Sequence, residues 1–268
     1  DDLFPRLQSG RLGAFDFVFH MGACSSTTET NGPYLIRNNY EFTRDLAEWS
    51  LSNKARFVYA SSAATYGDGS AGMDDRSDLD YLSTLRPLNL YGYSKQLFDQ
   101  YASRNGLLDK IAGLKFFNVF GPNEQHKGSM RSLVHKAYEQ VRDTGRVKLF
   151  KSYRAEYADG EQKRDFVFVR DAVAMTLHLA STDAAGLFNI GSGRAETWLE
   201  LANAVFGAMN KKPDIEFIDM PVEMRAKYQY FTRADIGRVT ESGYSTPVTS
   251  LEEGVRMTIG EIGTTEQP

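Results

Sequence analysis

Arg56-Phe57-Val58-Tyr59-Ala60-Ser61-Ser62 is a β-rich run that ends on two serines. An amphipathic stretch over 91–103 (YGYSKQLFDQYAS) and a second apolar run over 111–118 (IAGLKFFN) follow it, before the breaker Gly121-Pro122. Strand, helix, strand in that order predicts a βαβ unit with its two strands parallel. The alternation extends outward in both directions. Upstream lie a strand over 15–21 (FDFVFHM) and a helix over 34–51; downstream, a helix over 129–142 and a strand over 147–150. Further on come a strand over 165–169, a helix capped by Asp171 that reaches 181, a strand over 187–190 and a helix over 250–260. Repeated βα units with short connections predict an α/β fold, a Rossmann-like doubly wound parallel sheet.

The chain has 268 residues and a formal net charge of −4, with 31 basic against 35 acidic residues. That balance lacks the basic face of a nucleic-acid binder. With 41% hydrophobic and 25% charged residues it has the makeup of a folded globular chain. No apolar run approaches the ~18 residues a membrane helix needs, so no membrane partner is expected. One cysteine, Cys24, excludes a disulfide framework and fits a cytoplasmic setting; the four scattered histidines (His20, His126, His135, His178) give no metal-ligand spacing, so no metal is expected. The chain opens on Asp1-Asp2-Leu3-Phe4, an amphipathic segment closing at Gly13, with no opening strand and no glycine-rich phosphate turn. The expectation is a chain entered partway into a larger fold, its first β-α-β lying upstream. Composition shifts near residue 118, toward loops such as 151–163 (KSYRAEYADGEQK). A dinucleotide-binding domain over 1–118 and 166–190, interleaved with a smaller substrate domain over 119–165 and 191–268, is expected.

Chemistry-bearing residues fall at the carboxyl ends of these strands, the rim where open parallel sheets bind ligands. Ser62 closes one strand, and Tyr91 and Lys95 sit four apart, on one face of the following helix, while Tyr93 points elsewhere. A phenol is a weak base at neutral pH, and a neighbouring ammonium favours the phenolate. With a serine hydroxyl opposite to hold a developing oxyanion, the set suits alcohol–ketone interconversion with hydride passing to a nicotinamide. Alone, a Tyr-x-x-x-Lys spacing is common by chance and a strand-end serine is a turn residue. Their order and placement carry the reading. Gly191-x-Gly193 lacks the third glycine and the later acidic residue of a dinucleotide fingerprint, and reads as a turn.

Ser-Ser-x-x-x-Tyr-Gly (61–67), Tyr-x-x-x-Lys (91–95), Phe-Asn-Val-Phe-Gly-Pro (117–122) and Arg-Asp-Phe-Val-Phe-Val (164–169) together resemble the extended short-chain dehydrogenase/reductases that act on nucleotide sugars. The stretches Gly22-Ala23-Cys24-Ser25-Ser26-Thr27-Thr28-Glu29, His126-Lys127-Gly128-Ser129-Met130 and Gly191-Ser192-Gly193-Arg194-Ala195-Glu196 are most similar to the ADP-heptose 6-epimerase branch. The resemblance implies Tyr91 as principal acid/base, Lys95 as its partner and a ribose contact, Ser62 as the hydroxyl-positioning residue and Lys127 as a second acid/base. It implies cofactor contacts at Met21, Gly22, Ala23, Cys24, Ser25, Asn38, Lys95, Val119 and Lys127, with NADP as the cofactor. Sugar-nucleotide contacts are implied at Asn118, Ser129, Lys136, Phe150, Arg164 and Tyr228, with His135 open as an alternative to Lys136. Arg164 could instead form a strand-edge salt bridge with Asp165, and Tyr228 could belong to the core. The implied activity is inversion at C6 of ADP-heptose for the lipopolysaccharide inner core, by a homo-oligomer, a pentamer; another nucleotide-sugar epimerase or reductase, such as a UDP-sugar 4-epimerase, is the alternative.

Overall fold

In the computed structural model, which describes residues 3–265, four parallel strands form one sheet: β1 (Phe17–His20), β2 (Arg56–Ser62), β3 (Ala112–Phe116) and, after other elements, Gly186–Ile190. Asp1 and Asp2, which begin the segment read as amphipathic, lie outside the described residues. Between β3 and Gly186–Ile190 the chain forms β4 (Asn118–Phe120), β5 (Val147–Phe150), β6 (Lys163–Arg164) and β7 (Phe166–Phe168), so Gly186–Ile190 is β8. β9 (Glu196–Thr197) and β10 (Ile215–Ile218) complete the set. β4 pairs in parallel with β7, β10 in parallel with β5, and β6 antiparallel with β9.

Both faces of the four-stranded sheet are covered, because successive side chains leave a strand on opposite sides. Phe57, Tyr59 and Leu187 pack with Leu46, Leu82 and Phe98 in one core, whereas Val58, Leu114, Phe188 and Ile190 pack with Ala172, Met175 and Leu179 in another. This two-sided burial explains why β2, β3 and β8 read as apolar runs without strict alternation. A third core joins Phe120, Val134, Leu149, Phe168, Val205 and Val255, beneath the elements that follow β4. The doubly wound parallel α/β fold is therefore present. On β1, at the sheet edge, Phe17 and Phe19 remain exposed, stacked at 6.2 Å.

Three boundaries differ from the sequence reading, each for a local reason. The stretch expected as one helix over 34–51 is α-helical at Gly32–Leu35 and Phe42–Ser52, with a wider π turn at Ile36–Glu41 between them. The helix expected over 129–142 runs Leu133–Thr144. Ser129 lies before it in the 3₁₀ segment Gln125–Met130, which Gly128 breaks at φ 54°, a conformation that favours glycine. Asp171 does not cap its helix, which starts at Val169. Its carboxylate instead accepts from Thr249 N (2.9 Å) and Thr249 Oγ1 (3.0 Å), tying the C-terminal segment to the sheet.

Candidate active site

The backbone around Ser62 is fixed before any side chain acts. Ser62 ends β2 and caps the 3₁₀ turn Ala63–Tyr66, its Oγ accepting from Ala64 N at 3.1 Å. Gly67 then reverses the chain at φ 64°; a Cβ there would sit 1.9 Å from Arg86 O, so only glycine fits. The helix Leu90–Arg104 is capped by Asn89, which accepts from Gly92 N at 2.8 Å. Gly92 brings that helix against the Ser62 turn, where a Cβ would lie 2.8 Å from Ala64 O. Tyr91 is thereby brought beside Ser62, close enough for its hydroxyl to act on the phenol.

Electrostatics corrects one expectation here. Burial raises the Tyr91 phenol above its usual range; the Ser62 hydrogen bond opposes this and the nearby Cys24 adds to it. The Lys95 ammonium, expected to lower the phenol, is turned to Ala60 O at 2.8 Å and is not among the groups that shift it. Lys95 is itself brought down to about 8, by burial first, with Asp99 pulling the other way. Tyr91 is therefore a neutral phenol at pH 7, a proton donor in the atoms of the protein alone. Tyr93, one step along, is 44% exposed, as its helical position requires.

Below this trio runs a buried polar chain that the sequence reading missed. Asp99 accepts from Tyr59 Oη (2.8 Å), Ser61 Oγ (2.7 Å) and the Lys115 ammonium (2.7 Å), which also donates to Thr65 Oγ1 at 2.7 Å. Thr65 Oγ1 in turn donates to Ser62 O at 2.8 Å. Asp99 and Lys115 are wholly buried. The signal was present as Lys-x-x-x-Asp (95–99) and as a lysine inside an apolar strand, but only coordinates join them.

The loop after β1 lies beside Tyr91 and Lys95. The π turn points Asn39 inward, where its amide grips Cys24 at N (2.8 Å) and O (2.9 Å) and reaches Ser94 Oγ at 2.9 Å. Such a widened turn re-aims one side chain without ending the helix. Asn38, the residue singled out from sequence, is half-buried and donates to Tyr34 O of its own helix at 2.8 Å. Met21, Gly22, Ala23 and Ser25 are exposed along this loop, and Cys24 is half-buried.

A cavity of about 940 Å³ opens from there toward the third core. Met21, Ser25, Asn118, Val119, Lys127, Lys136, Phe150 and Tyr228 line it, so eight of the sequence-derived residues meet in one space. Glu124, Arg131, Lys148 and Trp198 also line it and were not anticipated. Of His135 and Lys136, buried His135 donates from Nε2 to Gly121 O at 2.9 Å, and Lys136 lines the cavity. Exposed Ser129 stays outside the lining.

Arg164 forms no salt bridge with Asp165. Only 6% exposed, its guanidinium donates to Lys163 O (2.8 Å) and to Gln229 O and lies over the Tyr228 (5.1 Å) and Trp198 (5.6 Å) rings. Tyr228 is held in that stack by its hydroxyl, which accepts from Trp198 Nε1 at 2.8 Å. A buried guanidinium without a carboxylate partner among the described residues suits an anion. Asp165 accepts instead from Ser192 N (2.6 Å), Gly193 N (2.9 Å) and Ala234 N (3.0 Å), so Gly191-x-Gly193 is a turn folded on a carboxylate.

A rim of parallel strands, a buried tyrosine beside Ser62 and a cationic cavity agree with the class of nucleotide-sugar enzymes that the sequence resembles. Residues 10–191 match the model of the NAD dependent epimerase/dehydratase family, and the chain belongs to that family. The ADP-L-glycero-D-manno-heptose-6-epimerase of Nitratidesulfovibrio vulgaris (strain Hildenborough) is 52% identical over 241 residues, covering 90% of this chain and 74% of its own. That of Fusobacterium nucleatum is 44% identical over 247 residues, covering 89% and 74%. The crystal structure of the Helicobacter pylori enzyme of that name superposes with a TM-score of 0.79 at 27% identity, over 96% of this chain and 75% of its own. The residues present fit the family's cofactor: Lys95 is 6% exposed and its ammonium has one acceptor among the described residues, Ala60 O, leaving hydrogens for ribose hydroxyls.

Proposed function

We propose that this protein inverts C6 of the heptose in ADP-D-glycero-D-manno-heptose, giving ADP-L-glycero-D-manno-heptose, with bound NADP. The observation that supports this reading is one cavity lined by Lys127 and by the loop that passes Tyr91. Tyr91 lies beside Ser62 and Cys24, and the neighbours of Cys24 in that loop, Met21 and Ser25, line the cavity together with Lys127. Heptose C6 is not next to a carbonyl, so simple deprotonation cannot invert it. Bound NADP would supply reversible hydride transfer at that carbon. The sugar oxygen then occupies two positions in turn, and a proton must be handled at each. In this reading Tyr91 serves one position, with Ser62 fixing the oxygen, and Lys127 serves the other. Lys95 holds the cofactor ribose beside Tyr91.

The rest of the cavity suits the nucleotide. Lys136, Arg131 and Lys148 line it with positive charge, and Arg164, stacked behind the lining residues Tyr228 and Trp198, is assigned as a planar fork for pyrophosphate oxygens. Asn118, Ser129, Phe150 and Tyr228 complete the sugar-nucleotide contacts, while Met21 to Ser25, Asn38 and Val119 are assigned to the cofactor. Residues 1–118 and 166–190 then form the cofactor part, and 119–165 and 191–268 the substrate part. The relatives' printed activity supports a role in making lipopolysaccharide heptose; a cytoplasmic location and a pentameric homo-oligomer belong to this reading through the sequence resemblance alone. No helix among the described residues is long and apolar enough to cross a membrane. The test is a substrate panel: ADP-D-glycero-D-manno-heptose should turn over far faster than UDP-hexoses, and preference for a UDP-hexose would overturn the reading.

A further inference from the structure

Glu124 is the one carboxylate among the described residues that line the cavity, which otherwise carries Lys127, Arg131, Lys136 and Lys148. It is 4% exposed, so a charge has been placed there against its desolvation cost. Its oxygens accept from Gly121 N (3.3 Å) at the end of β4 and from Ser132 N (2.9 Å) at the start of the Leu133–Thr144 helix. The same carboxylate takes the Lys127 ammonium at 3.4 Å. His135 Nε2 stands 4.0 Å away, fixed on Gly121 O.

The segment 125–131 is thus a hook closed at both ends on one side chain. Lys127 N donates to Glu124 O (2.9 Å), and Arg131 Nε reaches back to Gly128 O (2.9 Å) across the left-handed turn. Arg131 is also held by Glu139 from the helix. Lys127 is on an exposed loop with four rotatable bonds in its side chain, and Glu124 is the charged group in the structure that orients its ammonium. A salt bridge to an exposed lysine adds little to stability, so the arrangement is better suited to orientation.

We infer that Glu124 is a positioning residue for the second acid/base: it fixes the hook by two backbone N–H groups and aims the Lys127 ammonium into the cavity. This rests on the reading of Lys127 as that acid/base. Glu124→Gln keeps size and one acceptor but removes the charge and presents an N–H₂ to groups that themselves donate.

The experiment is a double-mutant cycle on the NADP-loaded protein, using Glu124→Gln, Lys127→Met and the double variant, with Glu124→Asp as the conservative control. Glu124→Gln should lose roughly tenfold or more in kcat with KM for the nucleotide sugar within about twofold. Glu124→Asp should recover part of that loss. Because Glu124 acts through Lys127, the double variant should be no slower than Lys127→Met alone. Losses that multiply in the double variant, or a Glu124→Gln enzyme with wild-type kcat, overturn the inference. A Lys127→Met enzyme with near-normal turnover overturns the parent reading instead, so the two failures are separable. Should Glu124→Gln not fold, the same cycle with Glu124→Asp decides on the same criterion.

Discussion

A tyrosine that exchanges a proton needs its hydroxyl, and Phe keeps everything else. Tyr91→Phe should therefore cut turnover by about 10²–10⁴ while leaving NADP binding, measured by fluorescence titration, largely intact. Near-normal turnover would remove Tyr91 from its role. Lys115 makes a different prediction, because its loss leaves Asp99 charged and wholly buried with one partner fewer. Lys115→Met should cost about 3–5 kcal/mol in urea unfolding. Sequence spacing singled out Ser62, Tyr91 and Lys95, since strand ends and a four-residue helical step are local facts, whereas Lys127 came only from the resemblance of the stretch around it. Spacing did not reach Asn39 or the Asp99–Lys115 pair, whose partners lie 15 to 16 positions away, across a π turn in the case of Asn39, nor Glu124, whose partners Gly121, Lys127 and Ser132 are local but sit in irregular backbone without periodicity. Nor did it anticipate that burial dominates the phenol while the Lys95 ammonium turns to Ala60 O, which is why the phenol's direction came out reversed.

The end of β1 carries a prediction of its own. His20 is 7% exposed, packed between the Phe42 and Phe57 rings, and its Nε2 is bonded to Thr43 Oγ1 at 2.8 Å. Burial, with the Lys95 charge assisting, lowers it to about 4 from an unfolded value of 6.5. Between those values the unfolded chain takes up a proton that the folded one refuses. Stability from this group is therefore full above pH 6.5 and falls toward pH 4, by roughly 3 kcal/mol in all. Unfolding measured at several pH values should show that slope, and His20→Asn should lack it. The strands were the most legible elements: Arg56–Ser62 matches to the residue, because six apolar or small residues after Arg56, between turn signals, leave little choice. Helix starts were less so. Gly128 and the extended backbone at Arg131 (ψ 151°) delay the helix to Leu133, and a glycine preference is no marker of which φ it adopts.

On the scale of the whole molecule, two bodies of packing meet at the cavity. Gln229 joins them, its carbonyl accepting from Arg164 while its amide donates to Gly67 O at the turn that follows Ser62. The parallel order β1-β2-β3-β8 places Ser62 and Asn118 at one rim, and β4 and β7 extend that rim toward the third core. The α/β alternation foretold the sheet, whereas the pairing of β5 with β10 and β6 with β9 is long-range and had no local signature. The cavity between the cores is where a hydride would leave and return to a single sugar carbon. Deuterium placed at C6 of ADP-D-glycero-D-manno-heptose follows that path directly. With the NADP-loaded full-length protein in ordinary water, the account predicts ADP-L-glycero-D-manno-heptose that keeps its deuterium at C6 by NMR; product with the label exchanged for solvent hydrogen, or no inverted product, would contradict it.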